Sequence, residues 1–138
     1  MAKIAGFFGE YRWLSNFWPC SVPYEGIIYP SVEHAYQAAK TLDLTDRHQI
    51  ALAITPGSAK AKGRRLKLRK DWATVKVEVM RKLIHTKFED EVLASKLKST
   101  GDILLEETNN WGDRFWGVSG GHGENMLGKI LMEERKHL

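Results

Sequence analysis

Ser31-Val32-Glu33-His34-Ala35-Tyr36-Gln37-Ala38-Ala39-Lys40 is the stretch whose reading decides the fold. Ser31 stands where an N-cap belongs, so a helix is predicted from there to about Leu42. At 100° per residue, Glu33, Tyr36, Gln37 and Lys40 gather on one side of it. Ala35, Ala38, Ala39 and Leu42 fall on the other, a face of small side chains suited to packing. A carboxylate, an amide and an amine on one stripe can position a polar substrate. The same stripe is equally what an exposed amphipathic face carries.

Upstream of this helix, Ile4 to Phe8 reads as a short strand, and Val22 to Tyr29 as a hairpin turning at Tyr24-Glu25-Gly26. Between them, Tyr11 to Pro19 is aromatic and irregular, with Trp13 and Asn16 inside it. Downstream, Asp46 to Ile54 is predicted as a short helix ended by Thr55-Pro56-Gly57. Asp71 caps a helix that puts Trp72, Val75, Val79 and Leu83 on one side. Lys87 to Lys98 is a further helix stopped by Thr100-Gly101, Ile103 to Leu105 a buried strand, and Glu124 to Lys136 a final helix. The sum is a helix-rich α+β domain over residues 1–138 with a few short strands. No regular βαβ alternation is present, which argues against a Rossmann or macrodomain-like sheet.

Composition narrows the class. The chain of 138 residues is 43% hydrophobic and 28% charged, ordinary values for a globular domain able to bury a core. No apolar run approaches the roughly 18 residues needed to span a bilayer, and Met1 to Gly6 lacks the apolar stretch of a secretion signal. Cys20 is the only cysteine, so neither an internal disulfide nor a cysteine metal cluster is expected, and a reducing cytoplasm is the expected home. The five histidines are dispersed without metal-ligand spacing, and neither Gly-x-Ser-x-Gly nor GxxxxGK[ST] occurs. The net charge of +4 is concentrated: Lys60, Lys62, Arg64, Arg65, Lys67, Arg69 and Lys70 crowd one stretch. Such a run attracts phosphates, in a nucleotide or a nucleic acid, or else forms a solvated face.

Two later segments carry chemistry. Glu107 to Gly117 sets Asp113 between Trp111 and Trp116 in a segment too rich in Asn and Gly for regular structure. Indoles beside a carboxylate suit stacking of a base or sugar next to an acid, or else anchor a loop on the core. Gly120 to Gly128 runs a glycine-rich loop into a helix, a candidate phosphate cradle at the positive end of the helix dipole. Asn125, Gly128, Met132 and Arg135 share a stripe of that helix that lines either a pocket or another element.

The stretch Ser31 to Lys40 resembles the signature helix of the YbiA-like, or NADAR (NAD and ADP-ribose associated), family. Further similarities follow in family order: Leu14-Ser15-Asn16-Phe17, Ala61-Lys62-Gly63-Arg64, Trp72, Val79-Met80, Lys87-Phe88, Asp113 to Gly117 and Gly123 to Arg135. The resemblance covers nearly the whole chain. It implies hydrolysis of a bond between C1 of a ribose and a nitrogen, with no metal and no organic cofactor. The substrate it implies is a ribosylaminopyrimidine phosphate of riboflavin biosynthesis, or ADP-ribosylated guanine as a nucleotide-like small molecule or in nucleic acid. Membranes are not among the expected partners.

Glu33, Lys40 and Asp113 match the family's polar active-site positions and are the expected catalytic residues. Trp111 and Trp116 match its aromatic positions near the substrate, and Asn16 and Asn125 positions that shape the pocket. Trp13, Gln37, Arg64, Gly117 and Gly128 complete the expected substrate-binding set. Paired carboxylates suit the chemistry, one holding a proton and one ionised, which requires Glu33 and Asp113 to share one cleft. Lys40 either orients its neighbours as a cation or forms a Schiff base with a ring-opened ribose. A non-catalytic ADP-ribose or nucleic-acid-binding module is the alternative.

Overall fold

A computed structural model describes residues 2–138. In chain order it holds β1 (Lys3–Ala5), a 3₁₀ helix (Gly9–Leu14), β2 (Val22–Tyr24), β3 (Ile27–Tyr29), α1 (Val32–Ala39), α2 (Leu44–Ala51), α3 (Pro56–Gly63), α4 (Trp72–Lys87), α5 (Glu91–Ser99), β4 (Leu104–Glu106), β5 (Thr108–Asn109), β6 (Val118–Ser119) and α6 (Met126–Lys136). The residues group into two compact units, one of 16–87 and one of 2–15 with 88–138. The fold is α+β, as the sequence predicts.

In the unit of residues 16–87, the hairpin forms where expected. Glu25 and Gly26 both take positive φ, 46° and 87°, the pair of left-handed residues that a tight turn with the strands' own twist requires. Val22 pairs with Tyr29 and Tyr24 with Ile27. Ser31 caps α1 by accepting from the His34 backbone N–H at 3.1 Å. The His34 ring spans from Ser31 Oγ, 2.7 Å from Nδ1, to the Ala53 carbonyl, 2.9 Å from Nε2. A carbonyl can only accept, so Nε2 carries a proton and the ring fastens α1 to the segment after α2.

The α1 helix is shorter than predicted, ending at Ala39 with Lys40 as C-cap, and Leu42 lies beyond it, exposed. It is also buried all round, from Val32 to Ala39. α2, α3 and α4 and the β2–β3 hairpin all pack on it, so no side of α1 is the solvated face of a surface helix.

The sequence reading misses α3. Thr55-Pro56-Gly57 reads as a stop, yet Thr55 is an N-cap, accepting from the Ser58 N–H at 3.0 Å, and Pro56 occupies the first helical turn. α2 starts earlier than predicted because Asp43, not Asp46, caps it. Asp71 directly precedes the first residue of α4, where the sequence places it. Its carboxylate oxygens accept from Arg69 at 2.6 and 3.0 Å, while its carbonyl accepts from the Thr74 and Val75 amides. Trp72, Val79 and Leu83 are buried as predicted, joined by Met80, Ile84 and Lys87.

In the other unit, β1 stops at Ala5, short of the predicted Phe8, because Gly6 turns left-handed at φ 87°. β1 pairs in parallel with β4, Ile4 opposite Leu105. Tyr11 to Leu14 lie within the 3₁₀ helix, not in irregular chain. α5 begins at Glu91 because Asp90 caps it, accepting from the Leu93 N–H at 3.0 Å; residue 87 closes α4 instead. The Asn-rich segment after Glu107 contains regular pairing after all, β5 running parallel to β6 over two residues. α6 packs on β4 and α5.

Candidate functional site

In the unit of residues 16–87, the predicted stripe of α1 is present but enclosed. Glu33 is 8% and Gln37 3% exposed. The Gln37 Nε2 donates to Glu33 Oε2 at 2.6 Å. The Glu33 backbone N–H donates to the Asn16 carbonyl at 3.0 Å, so the segment before the hairpin fixes the first turn of α1. Asn16 Nδ2 reaches Met80 Sδ at 3.6 Å and its Oδ1 is buried without a hydrogen-bond partner. Thus Asn16, Glu33 and Gln37 form one connected set.

Lys40 sits at the C-terminal end of the same stripe. Its Nζ lies 5.5 Å from the centroid of the Tyr36 ring, and that ring tilts against Trp72 at 5.3 Å. The Lys40 carbonyl accepts from the Arg69 backbone N–H at 2.8 Å, which anchors the basic loop after α3 to the end of α1. That loop and the residues after α1 border an open groove of about 540 Å³ lined by Thr41, Lys67, Arg69 and Lys70 among others.

Burial pushes the Glu33 carboxyl above its ordinary range, against the opposing pull of the Gln37 hydrogen bond and of Lys60, Lys40 and His34. Burial also lowers Lys40; Glu33 opposes this, while Lys60 and Arg64 add to it by like-charge repulsion. One helix stripe therefore carries a carboxyl that favours its proton and an amine that sheds one more readily than usual. Both shifts run in the direction that favours proton donation by the carboxyl and nucleophilic attack by the amine. Periodicity in the sequence puts Glu33, Gln37 and Lys40 on one stripe, and the family resemblance is what marks Glu33 and Lys40 as expected catalytic residues. Sequence reasoning misses Trp72 as the support of Tyr36, having read it as core, and misses Gly63, whose role depends on contact between α1 and α3.

In the other unit, Asp113 organises a loop. Its Oδ1 accepts the backbone N–H groups of Phe115 at 3.1 Å and Trp116 at 3.0 Å. Asn109 holds Asp113 from below, with the Asp113 N–H donating to Asn109 Oδ1 and Asn109 Nδ2 donating to the Asp113 carbonyl. Trp111 is 63% exposed at the loop tip, and Trp116 stands edge-on to Phe115 at 4.8 Å. Asn109 is a further contributor that the sequence reading leaves unassigned. A lone asparagine among other loop polars carries no local signal of it.

The remaining predicted residues of this unit have geometry that packing explains. Trp13 is buried, edge-on to Phe88 at 6.4 Å. A Cβ on Gly117 would lie 2.1 Å from the Glu107 carbonyl oxygen, and one on Gly128 would lie 2.2 Å from that of Leu105. Asn125, at φ 51°, bridges β4 and the chain after it: Oδ1 accepts from the Glu107 N–H and Nδ2 donates to the Leu105 carbonyl, both at 2.9 Å. The stripe that includes Arg135 faces neighbouring elements, Arg135 Nη1 donating to Thr100 Oγ1 and the Ile103 carbonyl.

The phosphate cradle predicted before α6 needs correction. The Glu124, Asn125, Met126 and Leu127 amides already donate to the carbonyls of Arg114, Gly117, Phe115 and Trp116. Amides committed to backbone partners cannot wrap a phosphate without breaking the loop, so this helix start holds the tryptophan segment. Among the described residues no group of three His, Cys, Asp or Glu side chains is arranged to hold a metal, and no helix is long and apolar enough to cross a membrane.

The chain is similar to known proteins over nearly its whole length. A family model described as the NADAR domain matches residues 6–138. The chain is 43% identical over 136 residues to the N-glycosidase YbiA of Escherichia coli, covering 94% of this chain and 82% of that protein. It is 41% identical over 133 residues to a riboflavin biosynthesis protein of Vibrio vulnificus; that match takes in 94% of this chain but 36% of the longer protein. The NMR structure of Escherichia coli YbiA superposes with a TM-score of 0.85, over 99% of this chain and 86% of that one, at 36% identity.

Proposed function

The chain belongs to the NADAR domain family, and from that premise we propose that it is an N-glycosidase cleaving a ribose C1–N bond in a nucleotide-like substrate. The observation that carries the reading is the Glu33–Lys40 stripe, where burial drives a carboxyl and an amine toward their uncharged forms. Relatives named N-glycosidase and riboflavin biosynthesis protein support the same chemistry. The substrate class we assign is a ribosylaminopyrimidine phosphate or ADP-ribosylated guanine, free or in nucleic acid.

The reaction follows from what each group holds. An N-linked ribose ring-opens to an imine at C1. The uncharged Lys40 amine adds to C1, forming a new C–N bond; the departing nitrogen takes one proton from the adding amine and one from Glu33 as its own bond to C1 breaks, leaving Glu33 ionised and the new imine protonated. The result is a Schiff base between Lys40 and the sugar. Water then adds to C1, Glu33 accepts its proton back, and collapse of the adduct returns the Lys40 amine and the free ribose. Gln37 holds Glu33 in place, and Asn16 shapes the turn beneath it. Asp113 is proposed as the second carboxylate, Trp111 and Trp116 as stacking surfaces, and Arg64 with Lys62 as phosphate partners.

Hydrolysis assays on guanine-ADP-ribosylated DNA and on ribosylaminopyrimidine phosphates test the substrate class directly. Borohydride added during turnover, followed by mass spectrometry, tests the covalent step: an adduct on Lys40 is expected, and its absence removes that route. Glu33→Ala should bind product as the parent does while losing turnover. Equal behaviour of variant and parent in both respects would instead assign a non-catalytic ADP-ribose or nucleic-acid-binding module, a role the basic stretch from Lys60 to Lys70 also suits.

A further inference from the structure

Gly63 ends α3 and is buried against α1. A Cβ built there would lie 1.9 Å from Gln37 Oε1, 2.7 Å from Gln37 Cδ and 3.0 Å from Gln37 Cβ. Those distances are far inside van der Waals contact, so no side chain fits at 63 while the Gln37 amide stays where it is. The amide's place is functional in geometry: its Nε2 is 2.6 Å from Glu33 Oε2, while its Oε1, turned toward Gly63, is buried with no hydrogen-bond partner. An orphaned buried acceptor is costly, and the amide would leave this pose if the pose were not held. Gly63 supplies no attraction. It supplies the space that lets the amide present its N–H to the carboxylate.

We propose that Gly63 is a positioning residue for Glu33, acting through the Gln37 amide. The inference rests on the reading of Glu33 as the proton-transferring group. By contrast, Gly57 at the other end of the same helix has room: a Cβ there meets only Thr55 Oγ1 at 3.9 Å. The requirement for glycine at 63 is therefore specific to the facing amide and not to helix α3.

A methyl group at 63 meets first the far end of a flexible side chain, so the fold yields by swinging the amide away and the chain still folds. Glu33 then loses a donor that favours its ionised form, and its titration moves to higher pH. The charged groups that act on Glu33 are otherwise unchanged: Lys60 from α3, and Lys40 and His34 from α1. From the other packed elements, Arg47 of α2 is committed to Thr41 and Glu25, and Lys82 of α4 lies over the Tyr24 ring.

The experiment is a ¹³C NMR titration of the glutamate carboxyls in the ligand-free protein, with the Glu33 resonance assigned by its loss in Glu33→Gln. Gly63→Ala and Gln37→Ala should each move the Glu33 midpoint upward, and Gly57→Ala should leave it in place. The double variant Gly63→Ala/Gln37→Ala should match Gln37→Ala alone, because the methyl acts only through the amide. An unmoved Glu33 midpoint in folded Gly63→Ala overturns the inference, as does a further shift when Gly63→Ala is added to Gln37→Ala. The pH profile of kcat separates this inference from the function it rests on. A limb that moves with the NMR midpoint supports both. A fixed limb under a moved midpoint keeps the positioning role and removes Glu33 as the proton-transferring group.

Discussion

Asn109 and Asp113 are locked together by a pair of hydrogen bonds, N–H of Asp113 to Oδ1 of Asn109 at 3.0 Å and Nδ2 of Asn109 to the Asp113 carbonyl at 2.9 Å. The same Nδ2 also reaches Glu107 Oε2 at 3.0 Å. One 8%-exposed amide thus sets the base of the loop whose tip carries Trp111.

Asn109→Ala leaves the half-buried backbone N–H and carbonyl of Asp113 without these partners. A loss of about 0.5–1.5 kcal/mol is expected, the usual net worth of a protein hydrogen bond. Urea denaturation measures it. Faster collisional quenching of tryptophan fluorescence in the variant would report the loosened loop, and unchanged stability would show that the clasp contributes nothing.

Glu33→Gln should separate stability from activity. The folded carboxyl holds its proton more tightly than the unfolded chain, whose value lies near the ordinary 4.5. Its contribution to stability is therefore greatest below that value and is lost as pH rises through the folded one. At neutral pH the glutamine variant, which never ionises, should be more stable than the parent. Its turnover should fall by at least about 100-fold, the usual scale for a lost proton-transfer group. Denaturation at pH 4 and pH 8 checks the first point: a stability difference equal at both pH values would contradict it.

Lys87 is 1% exposed at the end of α4, and burial lowers its amine to about 8 from an ordinary 10.5, with Cys20 opposing. Between those values the unfolded chain binds more protons than the folded one. Stability from this group should therefore climb with pH across that window, by up to about 1.4 kcal/mol per pH unit. Lys87→Met should remove that climb. A methionine variant with the parent's alkaline slope would assign the slope to other groups.

Gly128→Ala places a methyl 2.2 Å from the Leu105 carbonyl oxygen and within 2.4 Å of both side-chain polar atoms of Asn125. Backbone cannot swing aside as an amide can. Overpacking of about 1–3 kcal/mol is expected, seen as a lowered Tm. A neutral result would mean that α6 and β4 can separate without cost.

What the sequence made legible was what local chemistry encodes. Ser31 as a cap, the alternation of polar and small residues after it, and the Glu25-Gly26 turn each carry their signal within a few residues. The stripe bearing Glu33 and Lys40 was readable for that reason. Thr55-Pro56-Gly57 misled because proline and glycine punctuate both the end of one helix and the start of the next, and here Thr55 starts one. β5 and β6 were invisible since each is two residues long and exists only through a partner elsewhere in the chain. Asn125 begins α6 from a left-handed conformation without a side-chain cap, so the start was placed too early. Gly63 and Asn109 owe their importance to neighbours distant in sequence or to a loop path, and no local pattern records either.

The pairing of β1 with β4 sets an order of assembly. As the chain leaves the ribosome, the β2–β3 hairpin can pair within a few residues, while Ile4 must wait for Leu105 to be synthesised. Closing that long span costs loop entropy which local hairpins and helices avoid. Strand β1 is thereby made well before its mate, and a nascent chain halted after α4 would still carry it as an unpaired ribbon.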